Sequence, residues 1–110
     1  MAKYLIRGSY VGEGVVGLLK NGGTDRRKAV EKAFAAVGGS VEAMYFAFGE
    51  TDVFAVVDLP GNVSAVAASL VSNATGTVKT SYTVLITPEE VDEAAAQGRQ
   101  LAAAYRAPGQ

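Results

Sequence analysis

The sequence contains no cysteine, no histidine and no tryptophan. Without cysteine there is no disulfide framework, no thiolate metal ligand and no thiol nucleophile, a composition that suits a reducing compartment. Without histidine, Ser-His-Asp catalysis, His-ligated zinc and an imidazole general base are all excluded. An excess of charge is missing too: ten Lys and Arg stand against eleven Asp and Glu. No global field therefore favours nucleic acid or an anionic membrane, and neither is expected as a partner. No apolar run approaches the roughly 20 residues of a membrane span. The opening residues MAKYLIRGSY lack the hydrophobic core and cleavage site of a signal peptide. The expectation is a cytoplasmic protein that calls for no cofactor and no metal.

What the chain does have is 110 residues, enough for one domain over 1–110 with a real core. It is organised around Glu42 to Leu59, EAMYFAFGETDVFAVVDL, two apolar runs joined by Gly49, Glu50, Thr51 and Asp52. Aromatic and β-branched residues flanking turn formers predict a β-hairpin. Alternation puts Met44, Phe46 and Phe48 on one face against Ala43, Tyr45 and Ala47. In the second run Val53, Ala55, Val57 and Leu59 oppose Phe54 and Val56. A ribbon apolar on both faces must be covered on both.

Before the hairpin, residues 3–10 alternate as a strand, with Tyr4, Ile6, Gly8 and Tyr10 opposing the wetter Lys3, Leu5, Arg7 and Ser9. Two helical segments follow, Glu13 to Lys20 and one capped by Thr24 with Val30, Ala33, Phe34 and Val37 as its stripe, forming one kinked helix or a helix pair. After the hairpin, Asn62 is placed to cap a helix whose buried side is Val63, Val66, Ala67, Leu70 and Val71. Residues 77–87 predict a fourth strand, with Val78, Thr80, Tyr82, Val84 and Ile86 sharing a face. Thr87, Pro88 and Glu90 then spell a capping box for a C-terminal helical extension over 88–106, ahead of a loose tail at 107–110.

The order β, α, β, β, α, β with a further helix predicts an α+β, ferredoxin-like fold: a four-stranded antiparallel sheet with two helices on one face. The other face is left bare, and either the C-terminal helix or a second subunit must cover it. A self-complementary two-fold contact is the commonest solution, so a homodimer or larger homo-oligomer is expected.

KYLIRGSY at 3–10, EGVVGLLKNGGTDRRKAVE at 13–31, YFAFGETD at 45–52, VDLPGNVSA at 57–65, LITPEEVDEAA at 85–95 and YRAPG at 105–109 together resemble the GYD domain family. That resemblance implies a small bacterial protein of the dimeric α/β barrel superfamily, without a settled biochemical activity. The family takes its name from a Gly, Tyr, Asp signature at the hairpin turn, and here Thr51 precedes Asp52. Any chemistry the family assigns to that tyrosine is absent from this chain.

Four groups of residues are candidates for function. Gly12, Gly14 and Gly17 spell G-x-G-x-x-G, but a dinucleotide-binding unit needs a parallel second strand, whereas the following strand here turns into a hairpin. Lys20, Gly23, Thr24, Arg26 and Arg27 set cations beside a glycine-preceded helix start, an anion-binding arrangement. The alternative for these residues is a solvated or inter-subunit face with Arg27 paired to Glu31. Glu42, Glu50, Asp52 and Asp58 lack the spacing of a calcium loop and read as ordinary hairpin and turn residues. Arg7, Tyr45, Thr80 and Tyr82 are strand residues available to line a pocket between sheet and helices, although alternation alone does not assign their faces.

Three functions remain open at this level. They are a homo-oligomeric accessory domain binding a small anionic or aromatic molecule, a cofactor-independent monooxygenase or isomerase acting on a small aromatic substrate, and a purely structural assembly protein.

Overall fold

The computed structural model describes residues 1–110, and the alternating and helical stretches of the sequence fold into seven elements. These are β1 (Ala2–Tyr10), α1 (Glu13–Ala35), β2 (Ser40–Phe46), β3 (Val53–Leu59), α2 (Asn62–Ala74), β4 (Val78–Leu85) and α3 (Pro88–Ala104). The strands form one sheet in the order β2-β3-β1-β4, with every neighbouring pair antiparallel. This is the expected α+β, ferredoxin-like arrangement.

Register fixes the two faces. Tyr4 lies opposite Val57 and Val84, and Ile6 opposite Ala55 and Tyr82, so these side chains share one face. Tyr4, Ile6, Ala55, Val57 and Leu59 are buried there by Phe34 of α1 and Ala65 of α2, which together make the core. Inside it the Tyr4 hydroxyl donates to Asn62 Oδ1 at 2.6 Å, and the Tyr4 and Tyr82 rings meet edge to face at 6.5 Å. Asn62 therefore anchors β1 to the start of α2. It does not cap the helix, whose N-cap is Gly61 with no side-chain hydrogen bond.

The opposite face carries Leu5, Arg7, Phe54, Val56, Ala43 and Tyr45, with no helix over it. On this face Lys3 Nζ reaches both Asp58 Oδ1 and Glu42 Oε1 at 3.0 Å. The hydrogen bond to Asp58 first, and that to Glu42 second, hold the Lys3 ammonium above its ordinary pKa. Glu42 reaches this face because a bulge between Val41 and Ala43 breaks the alternation of β2. The same bulge turns Val41 toward the core.

The two helical segments before the hairpin are one kinked helix, broken at Gly22 (φ 79°, ψ 176°). Only glycine adopts that backbone without strain. Thr24 lies inside the second segment, two residues past the break, and does not cap it; the N-cap of α1 is Gly12. The hairpin strands are joined by residues 47–52, a longer connection than the four turn residues the sequence marks, so Ala47 and Phe48 lie beyond β2.

The stripe expected to bury α2 faces outward. Val63 is 86% exposed and Leu70 67%, while Ala65 is buried and Ala68, Ser69 and Ser72 are half-buried against the sheet. Small side chains let α2 approach β4 closely, where Ser72 Oγ and Asn73 Nδ2 meet Thr80 Oγ1 at 3.1 and 3.0 Å. The outward Val and Leu residues are left without cover.

The capping box at the start of α3 is complete: Thr87 Oγ1 accepts from the Glu90 N–H and Glu90 Oε1 from the Thr87 N–H. Yet every residue of α3 is exposed and no element of the chain packs along it. The radius of gyration is 17.8 Å, against about 13 Å for a compact chain of this length. The C-terminal helix therefore does not cover the bare sheet face, which removes one of the two covers the sequence allowed.

Candidate functional site

At the hairpin tip, Asp52 ties three segments together. Its N–H donates to the Gly8 carbonyl at 2.9 Å, its carbonyl accepts from Ala47 N–H at 2.7 Å, and its carboxylate Oδ2 accepts from Tyr10 N–H at 2.9 Å. The tip is thereby held against the end of β1, and Phe46 is set beneath the α1 kink. Its ring lies over Gly23, where an added Cβ would stand 3.1 Å from Phe46 Cε2.

Between the kink and the tip opens a cavity of about 440 Å³ lined mainly by Val15, Leu18, Phe46 and Phe48, with Tyr10 and Asp52 also on its wall. Phe48 is 100% exposed. Mostly apolar walls with a few fixed polar groups, at a volume in the range of about 300 to 1,000 Å³, are the usual make-up of a small-molecule site.

Two further depressions differ in chemistry. A groove of about 410 Å³ on the uncovered sheet face is lined only by polar residues, Arg7, Ser9, Glu50, Thr51, Lys79, Thr80 and Ser81. A smaller one of about 190 Å³ lies on the other side of the α1 kink, beside Gly14, Gly17, Asn21, Asp25, Arg26 and Thr77. Here the glycine motif acquires a packing explanation. An added Cβ at Gly14 would overlap the Thr77 carbonyl, and Val11 N–H donates to that same oxygen at 2.9 Å. Gly14 lets the first turn of α1 approach the start of β4, and the following β2 leads into the hairpin instead of a parallel crossover.

The candidate residues named from the sequence are divided by the fold. Of the five anion-site candidates, Gly23 lines the apolar cavity, Arg26 the small depression, and Lys20, Thr24 and Arg27 are exposed. Arg27 Nε stands 3.9 Å from Glu31 Oε2, the pairing named as the alternative. Of the four pocket candidates, Arg7 and Tyr45 sit on the uncovered sheet face, Tyr45 being 73% exposed. Thr80 and Tyr82 turn their side chains to the helix-covered face, where Thr80 is engaged by Ser72 and Asn73, although Thr80 also borders the polar groove beside Arg7. Burial pushes the Tyr82 phenol up to about 12, so it remains neutral and is not tuned as a base. The lining of the apolar cavity escaped the sequence reading, because Val15 and Leu18 looked like core and Phe48 like strand. The only available signal was the pair of glycines at 22 and 23, which mark the kink that opens the space.

A family model for the GYD domain matches residues 4–95, from β1 to the first half of α3. The chain belongs to the GYD domain family. No curated protein and no solved structure matches it significantly. No helix is long and apolar enough to cross a membrane.

Proposed function

We propose that this GYD domain protein is the subunit of a homo-oligomer that binds a small aromatic molecule between the α1 kink and the hairpin tip. The observation that carries this reading is the cavity of about 440 Å³ with Val15, Leu18, Phe46 and Phe48 around Tyr10 and Asp52. Fully exposed Phe48 gains cover when a flat ring stacks on it. The Asp52 carboxylate, already accepting from Tyr10 N–H, favours a ligand presenting a hydrogen-bond donor over an anionic one.

Oligomerisation rests on the sheet face carrying Leu5, Phe54, Val56 and Tyr45, which no helix of the chain covers. Apposition of two such faces about a two-fold axis would bury the apolar surface that the hairpin presents there. Residence in the bacterial cytoplasm is part of the same proposal, and a cysteine-free chain suits that compartment. The enzyme alternative gains nothing from the two displaced pKa values, since both Lys3 and Tyr82 move away from neutrality.

A fluorescence titration tests the site. The chain has no tryptophan, so Val15→Trp places a single reporter on the cavity wall. Anilinonaphthalene sulfonate and a panel of phenols and anilines serve as probes. Saturable quenching by a phenol or aniline, weakened in the added presence of Phe46→Ala, supports the reading. Quenching that is linear in concentration for every compound overturns it.

A further inference from the structure

We propose that the polar groove on the uncovered sheet face binds a small hydroxylated oxyanion, a carboxylate or phosphate carried on a polyol, between Arg7 and Lys79. The groove shares no lining residue with the apolar cavity, so either site can fail without the other.

Strand register assembles the floor. Arg7 of β1 stands opposite Ser81 of β4, and Ser9 opposite Lys79, so all four side chains rise from neighbouring positions on one face. The two cations lie on a diagonal of this group, about 7 to 8 Å apart at the backbone, a separation that long side chains bridge. The hairpin tip supplies the wall through Glu50 and Thr51. That wall is fixed in place: Ser9 Oγ donates to the Glu50 carbonyl at 2.7 Å, and Asp52, next after Thr51, is hydrogen-bonded to Gly8 and Tyr10. Floor and wall are set before a ligand arrives, which lowers the ordering cost of binding.

Charge on this face is unevenly satisfied. Lys3, on the same strand and face, holds two carboxylates at 3.0 Å. Arg7 and Lys79 form no ion pair with any carboxylate of the chain, although Glu50 borders the same groove. Two like charges therefore converge with nothing between them, and they repel until an anion bridges them. An oxyanion answers both, with two oxygens for the guanidinium fork and another for the ammonium. A second copy apposed on this face is the competing source of a carboxylate. Of the carboxylates on the face, however, Glu42 and Asp58 are already held by Lys3.

The remaining lining selects the body of the ligand. No apolar side chain borders the groove, which disfavours an aromatic ring. The hydroxyls of Thr51 and Ser81 both donate and accept, and the Glu50 carboxylate accepts, a match for the hydroxyls of a polyol.

The test is a titration of the isotopically labelled full chain, followed by its amide NMR signals, with inorganic phosphate, glycerol phosphate, gluconate and glycerol. Sodium chloride holds the ionic strength constant, so that general screening cancels. The expected result is saturable shifts confined to residues 7–9, 50–51 and 79–81, with glycerol phosphate or gluconate binding several-fold tighter than inorganic phosphate and glycerol not binding. The tighter of glycerol phosphate and gluconate identifies the head group. Arg7 and Lys79 are exposed, so their variants should fold, as circular dichroism would check. Arg7→Gln and Lys79→Gln should each weaken binding several-fold, Arg7→Lys should fall between Arg7→Gln and the parent, and Lys20→Gln, outside the groove, should change nothing. Shifts linear in concentration, equal shifts around Arg26 and Arg27, indifference to Arg7→Gln, or no gain from the polyol overturn the proposal. So does an oligomer that dissociates in Arg7→Gln while the parent binds no anion, which would assign the two cations to a carboxylate of a second copy.

Discussion

The carboxylate of Asp52 accepts the backbone N–H of Tyr10 at 2.9 Å, while the N–H of the same Asp52 donates to Gly8 at 2.9 Å. One residue therefore ties the hairpin tip to the C-terminal end of β1 and fixes one wall of the apolar cavity. Asp52→Ala should cost about 1 to 3 kcal/mol, because it removes a charged acceptor from a backbone donor. Asp52→Asn retains an acceptor oxygen and should cost less than half as much. Urea unfolding of the two variants checks the order; equal losses would assign the effect to the charge alone.

Tyr4 and Asn62 form a second clamp, inside the core. Tyr4 is buried, so Asn62→Ala strands its hydroxyl without a partner and should destabilise by about 1 to 3 kcal/mol. Tyr4→Phe in the Asn62→Ala background should recover part of that loss, since the stranded hydroxyl is gone. A double-mutant cycle by chemical denaturation measures the coupling, and a coupling near zero would show that the pair is not linked.

Tyr82 gives a pH signature. Burial raises its pKa from 10.0 to about 12, so the folded state holds the phenolic proton more tightly than the unfolded state. The associated stability is fully present below about pH 10 and is lost as pH rises toward about 12, amounting to at most about 2 kcal/mol for a ring that is only partly shielded. Tyr82→Phe should flatten that part of the alkaline stability profile. Denaturation midpoints of both proteins between about pH 9 and 11.5 make the comparison.

Thr87 tests the independence of α3. Thr87→Ala removes half of the capping box and should cost the helix about 1 kcal/mol. Since the core of Tyr4, Val57 and Leu59 includes no residue of α3, the far-UV helical signal should fall while near-UV tyrosine signals hold. Simultaneous loss of both would tie the helix to the core.

The architecture was legible because each strand alternates and each helix has punctuation of its own. Val57 and Leu59 share one face as the alternation required, and Thr87 with Glu90 announced α3 by hydrogen-bonding chemistry that needs no tertiary contact. α2 was misread for an equally physical reason. A 3.6-residue stripe shows that a face is apolar, not which protein surface will cover it, and the sheet took the Ala and Ser side while Val63 and Leu70 stayed outside. The bulge before Ala43 was invisible because one inserted residue leaves the alternation intact on either side. The cavity was illegible for a third reason: it depends on how far the Gly22 break tilts α1 over Phe46, an angle that no local pattern encodes.

Native mass spectrometry of protein purified from its own host bears on both the oligomer and the aromatic ligand, because it reports copy number and retained ligand together. The expected result is a multiple of the chain mass carrying a small aromatic ligand, with that added mass lost in Phe46→Ala while the oligomer persists. A single chain with an empty cavity at micromolar concentration would contradict it.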